Sequence, residues 1–324
     1  MTWEGEPMEH NIYQSYNMKD NRPNVLLLGN GILRSCSPSQ STNWEEGIKK
    51  LSDFPDIQER YQKLSCAPYT VQATALAPFE DSARQHRYLD VFQTLQLDDD
   101  LLLKELLKLP FDAILTTNYS YEIENIYHDR YSDLKDKRKY AYCTKQKRDF
   151  KRLLHTYNKL GKSPEIWHIH GELRVPSSII LTHDEYAKLI GDIILYNKDN
   201  RDRYQYHQEN LKFYSWIDYL IMGNVFVLGQ GVDFSEFDLW WLLNRKKREK
   251  AEFGNVHVFA PKDFRCKSPT VRCALDQMGF SVSDCGITLS MASDLSQQYS
   301  TFYKNAITEI REILNLNKKQ GEQP

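Results

Sequence analysis

The sequence predicts an α/β protein with a Rossmann-like, doubly wound and mainly parallel sheet, helices on both faces, and a helical insertion. Three observations predict it. Short, uniformly apolar runs such as NVLLLGNGI and NVFVLGQGV have the length and composition of strands buried on both faces, and each runs into glycine. Helical patterns separate these runs, as a parallel sheet requires of its crossovers. A chain of 324 residues with 41% hydrophobic and 27% charged residues has the size and composition to bury a sizeable core.

The elements follow in order. Residues 1–22 are polar and aperiodic and read as a loose arm. NVLLLGNGI is the first strand, followed by a helical insertion over about 43–107. Within it NWEEGIKKL has Asn43 as N-cap and Glu46 three residues on. LDDDLLLKELLKLP spaces its leucines for a helix and stops at Pro110. FDAILTTNY is a second buried strand and SYEIENIY a short helix after it. Residues 131–164 are charged and insertion-like. EIWHIHG is a third strand and SSIILT a fourth. THDEYAKLI begins a helix, with Thr182 as N-cap and Glu185 completing a capping box. NVFVLGQGV is the next strand, and SEFDLWWLLNRKKREK a helix capped by Ser235 whose basic end suits the helix dipole. NVHVFAP is a further strand. A last helix near 298–316 puts Phe302, Ala306, Ile307, Ile310, Ile313 and Leu314 on one stripe, and 317–324 reads as a disordered tail. No repeat or composition shift marks a second full domain within 23–316.

The formal net charge of −2 gives no global field for nucleic acid or an anionic membrane. No apolar run approaches the roughly 20 residues of a spanning helix. The start of the chain has neither the basic nor the apolar region of a secretory signal, so a cytoplasmic location is expected. The six cysteines are scattered without a Cys-x-x-Cys pair, which argues against a disulfide framework and a four-cysteine zinc site. Lys135 to Arg152 holds nine basic residues among aromatics and reads as a solvated face rather than a nucleic-acid contact.

Four strand ends carry the chemistry: Gly29, Asn30, Gly31 and Arg34; Thr117 and Asn118; His168, His170 and Gly171; Gly229, Gln230, Gly231 and Glu236. In a doubly wound sheet ligands bind beyond the carboxyl ends of the strands. Glycine there lets backbone N–H groups approach phosphates, although GNGILR lacks the third glycine of the dinucleotide fingerprint. Strand alternation puts His168 and His170 on one face. Such a pair is open to three readings: ordinary strand-end polarity, metal ligands needing a third partner such as His183, or a catalytic base with a neighbour.

The order GNGI…R, TTNY…E, HG and GxG resembles the sirtuin family, and most closely its bacterial branch found in anti-phage defence proteins. The resemblance covers about residues 24–260. It implies that Gly29, Asn30 and Gly31 bind the phosphates of NAD, that Thr117 and Asn118 face the ribose, and that Asn118 positions the attacking water. It implies His170 as the catalytic base, with His168 as its support. Gly229, Gln230, Gly231 and Glu236 would line the adenosine side, and Arg34 would lie in the loop covering the nicotinamide end. The implied activity is hydrolysis of NAD to nicotinamide and ADP-ribose by a defence effector that depletes NAD. A non-catalytic sensor of NAD or ADP-ribose derivatives is the alternative, and a protein deacylase the third reading. The paired cysteines of the deacylase zinc module are absent, so no metal is expected, and Ser120 stands where the family commonly has an acidic residue. Because an unregulated NADase is toxic, the reading implies control by a homo-oligomer or by a separately encoded partner such as an ATPase.

Overall fold

The computed structural model describes residues 15–16, 22–37, 44–131, 142–145, 154–157, 164–206, 211–231, 234–248, 254–262, 267–290 and 294–321. The strands are β1 (Ser15–Tyr16), β2 (Asn24–Leu28), β3 (Ala113–Thr116), β4 (Tyr142–Lys145), β5 (Leu154–Tyr157), β6 (Glu165–His168), β7 (Leu211–Lys212), β8 (Asn224–Leu228), β9 (Val256–Phe259) and β10 (Ser281–Ser283). The helices are α1 (Gly31–Cys36), α2 (Trp44–Lys50), α3 (Ile57–Lys63), α4 (Tyr69–Leu76), α5 (Asp81–Val91), α6 (Leu101–Leu106), α7 (Glu122–Tyr131), α8 (His183–Asp199), α9 (Arg201–Tyr206), α10 (Trp216–Met222), α11 (Phe237–Arg248), α12 (Lys267–Gln277) and α13 (Leu295–Gly321).

The main sheet runs β10-β9-β8-β2-β3-β6-β5-β4. From β10 to β6 every pairing is parallel, and β5 and β4 are added antiparallel at one edge. Numbered by their appearance in the chain, the parallel strands lie in the order 3-2-1-4-5-6, which is the Rossmann order. The order in which successive strands are added reverses between β2 and β8, and this is where ligands bind in such sheets.

Alternation along each buried strand divides the core in two. Val25, Leu27, Ala113, Leu115, Trp167, Val225 and Val227 face α8, α10, α11 and α12. Leu26, Leu28, Ile114, Ile166, Phe226 and Leu228 face α1, α6, α7 and α13. Because both faces are covered, the strands carry apolar residues at every position instead of every second one. A third, smaller core belongs to the helical insertion. Ile48, Leu51, Tyr61, Ala73, Leu76 and Tyr88 pack on Tyr119, Ile179 and Leu181, which lie beyond the carboxyl ends of β3 and β6. The insertion therefore sits over one part of the ligand-binding edge.

Several expectations change. SSIILT is no strand: Pro176–Ser178 is a single 3-10 turn, and beyond it Ile179 and Leu181 pack on the insertion while Ile180 packs into the main core, none of them joining the sheet. Apolar character there reflects tertiary cover, not strand pairing. The expected loose arm contributes β1, which pairs antiparallel with β7. The charged segment 131–164 supplies β4 and β5. α11 begins at Phe237, so Glu236 rather than Ser235 immediately precedes it. α13 continues through Gly321, beyond the expected end at 316, and residues 322–324 lie outside the described residues, as does Asn43. Most of the basic run Lys135 to Arg152 also lies outside them. The capping box of α8 forms as expected, with Thr182 N–H donating to Glu185 Oε2 at 2.8 Å.

Candidate functional site

Parallel register sets the four strand ends in one row. Leu28 pairs with both Thr116 and Leu228, and Thr116 pairs with His168. The turns after these residues share one edge of the sheet.

At the switch between β2 and β8 the two glycine turns interlock. Gly29 N–H donates to the Leu228 carbonyl at 3.1 Å, and Gly31 N–H donates to the Gly229 carbonyl at 2.8 Å. Gly229 adopts φ +67°, a conformation that favours glycine. A Cβ on Gly29 would lie 2.5 Å from the Gly229 carbonyl oxygen. These glycines first of all let two backbone turns touch. Gly231 faces open space, and Gln230 Nε2 donates to Glu236 Oε1 at 2.6 Å, tying the second turn to the start of α11. Asn30 is the N-cap residue of α1 and makes no side-chain capping bond there. Arg34 is exposed in the last turn of α1, not in a loop after the first strand as expected, because the helix already begins at Gly31.

After β3, Thr117 N–H donates to the Leu28 carbonyl at 3.3 Å. Asn118 N–H is held by Thr116 Oγ1 at 3.1 Å. The Asn118 side chain is buried and its Nδ2 has no hydrogen-bond partner. A buried amide donor without an acceptor costs roughly 1–3 kcal/mol, a cost that a ligand acceptor would remove. Ser120 Oγ donates to Glu122 Oε2 at 2.6 Å. Burial raises Glu122's pKa above the usual carboxylate value, against the Ser120 bond, which favours the ion.

The two histidines part company. His168 is the last residue of β6 and, by alternation with Ile166, points toward α7. Its Nδ1 donates to the Asn118 carbonyl at 2.7 Å, and its Nε2 meets Glu124 Oε1 at 2.6 Å. Burial works against the imidazolium, but Glu124 outweighs it and the His168 pKa is raised. An imidazolium between two acceptors has no lone pair for a metal. His170 lies past the strand, in a turn closed by Gly171 at φ +92°. A Cβ on Gly171 would run into the Ser178 carbonyl. That turn swings His170 to the opposite side of the sheet. There its Nε2 meets Asp238 Oδ2 at 2.9 Å and its Nδ1 meets the Tyr186 hydroxyl at 3.3 Å. Burial again opposes the charge, Asp238 outweighs it, and the His170 pKa is raised. The expectation that both histidines share one face is thus corrected: the strand ends at His168, two residues before His170, so alternation does not govern His170.

Glu124, Asp238 and Tyr186 were not singled out by sequence reasoning. The signal was present for the acids. Asp238 falls on the buried stripe of α11 with Leu239, Leu242 and Leu243, and Glu124 lies among Ile123, Ile126 and Tyr127 of α7. An acid on an apolar stripe needs a partner.

The doubly wound order, the interlocked turns at its switch point and the Asn118/His170 edge define a protein of the sirtuin-like class. A SIR2-like domain model matches residues 112–274, half of the chain, and the chain belongs to that family. No curated protein matches it. The family relation carries an NAD-related function. Among the described residues no helix is long and apolar enough to cross a membrane, and none form a group of three or more metal-ligating side chains.

Proposed function

We propose that the protein is an NAD glycohydrolase that releases nicotinamide and ADP-ribose. The observation that carries this reading is the buried, unpartnered Asn118 amide at the switch-point edge, on the same edge as a histidine–carboxylate pair. NAD would lie across the β2 and β8 turns, with Gly29, Asn30, Gly31, Gly229, Gln230, Gly231 and Glu236 toward the adenosine diphosphate. Arg34, Thr117 and Asn118 would lie toward the nicotinamide riboside. In the reaction the C1′–N bond breaks and its electron pair leaves with nicotinamide, which is already a cationic leaving group and needs no acid. Oxocarbenium character develops at C1′. A water held by Asn118 forms the new C1′–O bond, and its proton passes to neutral His170.

Nicotinamide release from NAD tests the reading. Asn118→Ala and His170→Ala should each lower the rate by roughly 10²–10⁴-fold. Full turnover by His170→Ala would overturn the assignment. A second reading, a non-catalytic sensor of NAD or ADP-ribose derivatives, is favoured by one observation: both ring nitrogens of His170 are engaged inside the protein. NAD binding without nicotinamide release would establish it.

The motif order's likeness to the bacterial defence branch supports a role in depleting NAD in infected cells, under the control of self-assembly or of a separately encoded partner such as an ATPase. Cells expressing the wild-type chain should survive phage challenge as a population where cells with Asn118→Ala do not. Equal survival would remove the defence role.

A further inference from the structure

The reaction above gives Asp238 no step of its own, yet it is fully buried against His170. Its Oδ2 lies 2.9 Å from His170 Nε2, and its Oδ1 is buried with no hydrogen-bond partner. We propose that Asp238 is a positioning residue that fixes the tautomer of His170. The carboxylate can only accept, so His170 must carry its proton on Nε2. Nδ1 is then the basic nitrogen. It faces the Tyr186 hydroxyl at 3.3 Å, which is long for a hydrogen bond. Contacts of this kind often tighten or change hands when substrate arrives.

The inference rests on His170 being the base. The surrounding elements are arranged for the purpose. Asp238 stands in the first turn of α11, and Leu239, Leu242 and Leu243 anchor that helix in the core. Tyr186 stands in the first turns of α8, where the capping box of Thr182 and Glu185 fixes the helix start. The Tyr186 ring packs edge-on to His170 at 5.2 Å and against Phe237 at 5.4 Å. The titratable groups facing the imidazole are Asp238 and Tyr186 by contact and Glu236 through its field. Both acids favour the protonated ring, so His170 becomes a free base only as pH rises through its raised pKa.

The test uses the full chain with labelled histidine and two readouts. In nitrogen-detected NMR of the wild type, neutral His170 should carry its proton on Nε2. In Asp238→Asn that preference should be lost, and His170 should titrate at lower pH. In the nicotinamide assay the acid limb of the pH profile should move to lower pH while the maximal rate falls roughly 10²–10⁴-fold, as expected when a base is held in the wrong tautomer. A merely structural role would lower the rate without moving the limb. An Nδ1–H tautomer in the wild type overturns the proposal, whether or not the variant folds. So does an unchanged His170 titration in Asp238→Asn. Absence of nicotinamide release by the wild type would instead defeat the NAD hydrolysis reading, and the NMR readout would still decide the role of Asp238.

Discussion

His168 and His170 stand two residues apart and each faces a buried carboxylate, yet they belong to different machines. His168 is still strand. Both of its nitrogens are taken by Asn118 and Glu124, and its job is to fasten the turn after β3 to α7. His170 is already turn. It crosses to the other side of the sheet, where Asp238 holds one nitrogen closely and Tyr186 holds the other loosely. The same residue type with the same kind of partner becomes a rivet or a candidate base according to where the strand stops. The difference teaches that the length of β6, more than the His-Ile-His spacing, assigns the roles.

The largest effect should come from breaking the rivet. Glu124→Ala leaves a buried imidazole without its counter-charge and should cost about 3–5 kcal/mol of stability by urea unfolding. The sign follows from the raised His168 pKa: the pair's contribution is fully present below the unfolded histidine value and fades as pH rises through the folded one. The deficit should therefore be greater at pH 6 than at pH 9. A loss under about 1 kcal/mol at pH 6, within the range of exposed pairs, would erase the distinction between the two histidines.

The next contrast lies at the other end of β6. Burial pushes the Glu165 carboxyl up to about 7, despite the bond from the Trp167 indole N–H at 3.1 Å that favours its ion. Folding then favours the protonated acid. Its stabilising contribution is complete below the unfolded value and is lost between about pH 4.5 and 7. Glu165→Gln should leave stability near pH 4 unchanged and raise it by up to about 3 kcal/mol at pH 8. Equal wild-type and variant stability at pH 8 would show that this end of the strand tolerates a charge.

Gly171→Ala would put a side chain at positive φ and against the Ser178 carbonyl. It should cost about 1–3 kcal/mol, and it should reduce nicotinamide release beyond what the lost folded fraction explains. Unaltered turnover per folded molecule would mean that the turn does not aim His170. The smallest effect belongs to Thr182→Ala, which removes the side-chain half of the α8 capping box and should lower stability by about 1 kcal/mol. Thermal melting with no shift would detach the α8 cap from the placement of Tyr186.

Much of this fold is legible in the sequence where burial is two-sided. β2, β3, β6, β8 and β9 announce themselves as short apolar runs, and the Thr182–Glu185 box and the stripe of α13 declare their helices. Elements whose burial has another cause are hidden. α10, WIDYLIM, is buried on every side and shows no helical period. β10 is a three-residue edge strand of half-polar composition. SSIILT looks like a strand because the helical insertion covers Ile179 and Leu181 and the main core takes Ile180. At the site, Asn118 and His170 are visible from local pattern, but the partners that give them character lie 68 residues away in the case of Asp238 and 44 for Glu124 and His168. Such pairing is a property of the topology, which local pattern does not encode.

The interlocked glycine turns have a consequence for how the protein comes into being. β2 lies at the middle of the parallel sheet, but its partner β8 follows far along the chain, with Asn24 and Asn224 200 residues apart. During synthesis the β8 side of β2 has no partner strand until residues 224–228 have been made. A switch-point cleft of this shape cannot exist on a shorter nascent chain. The enzyme proposed here would thus be translated for most of its length before both halves of its NAD cleft exist.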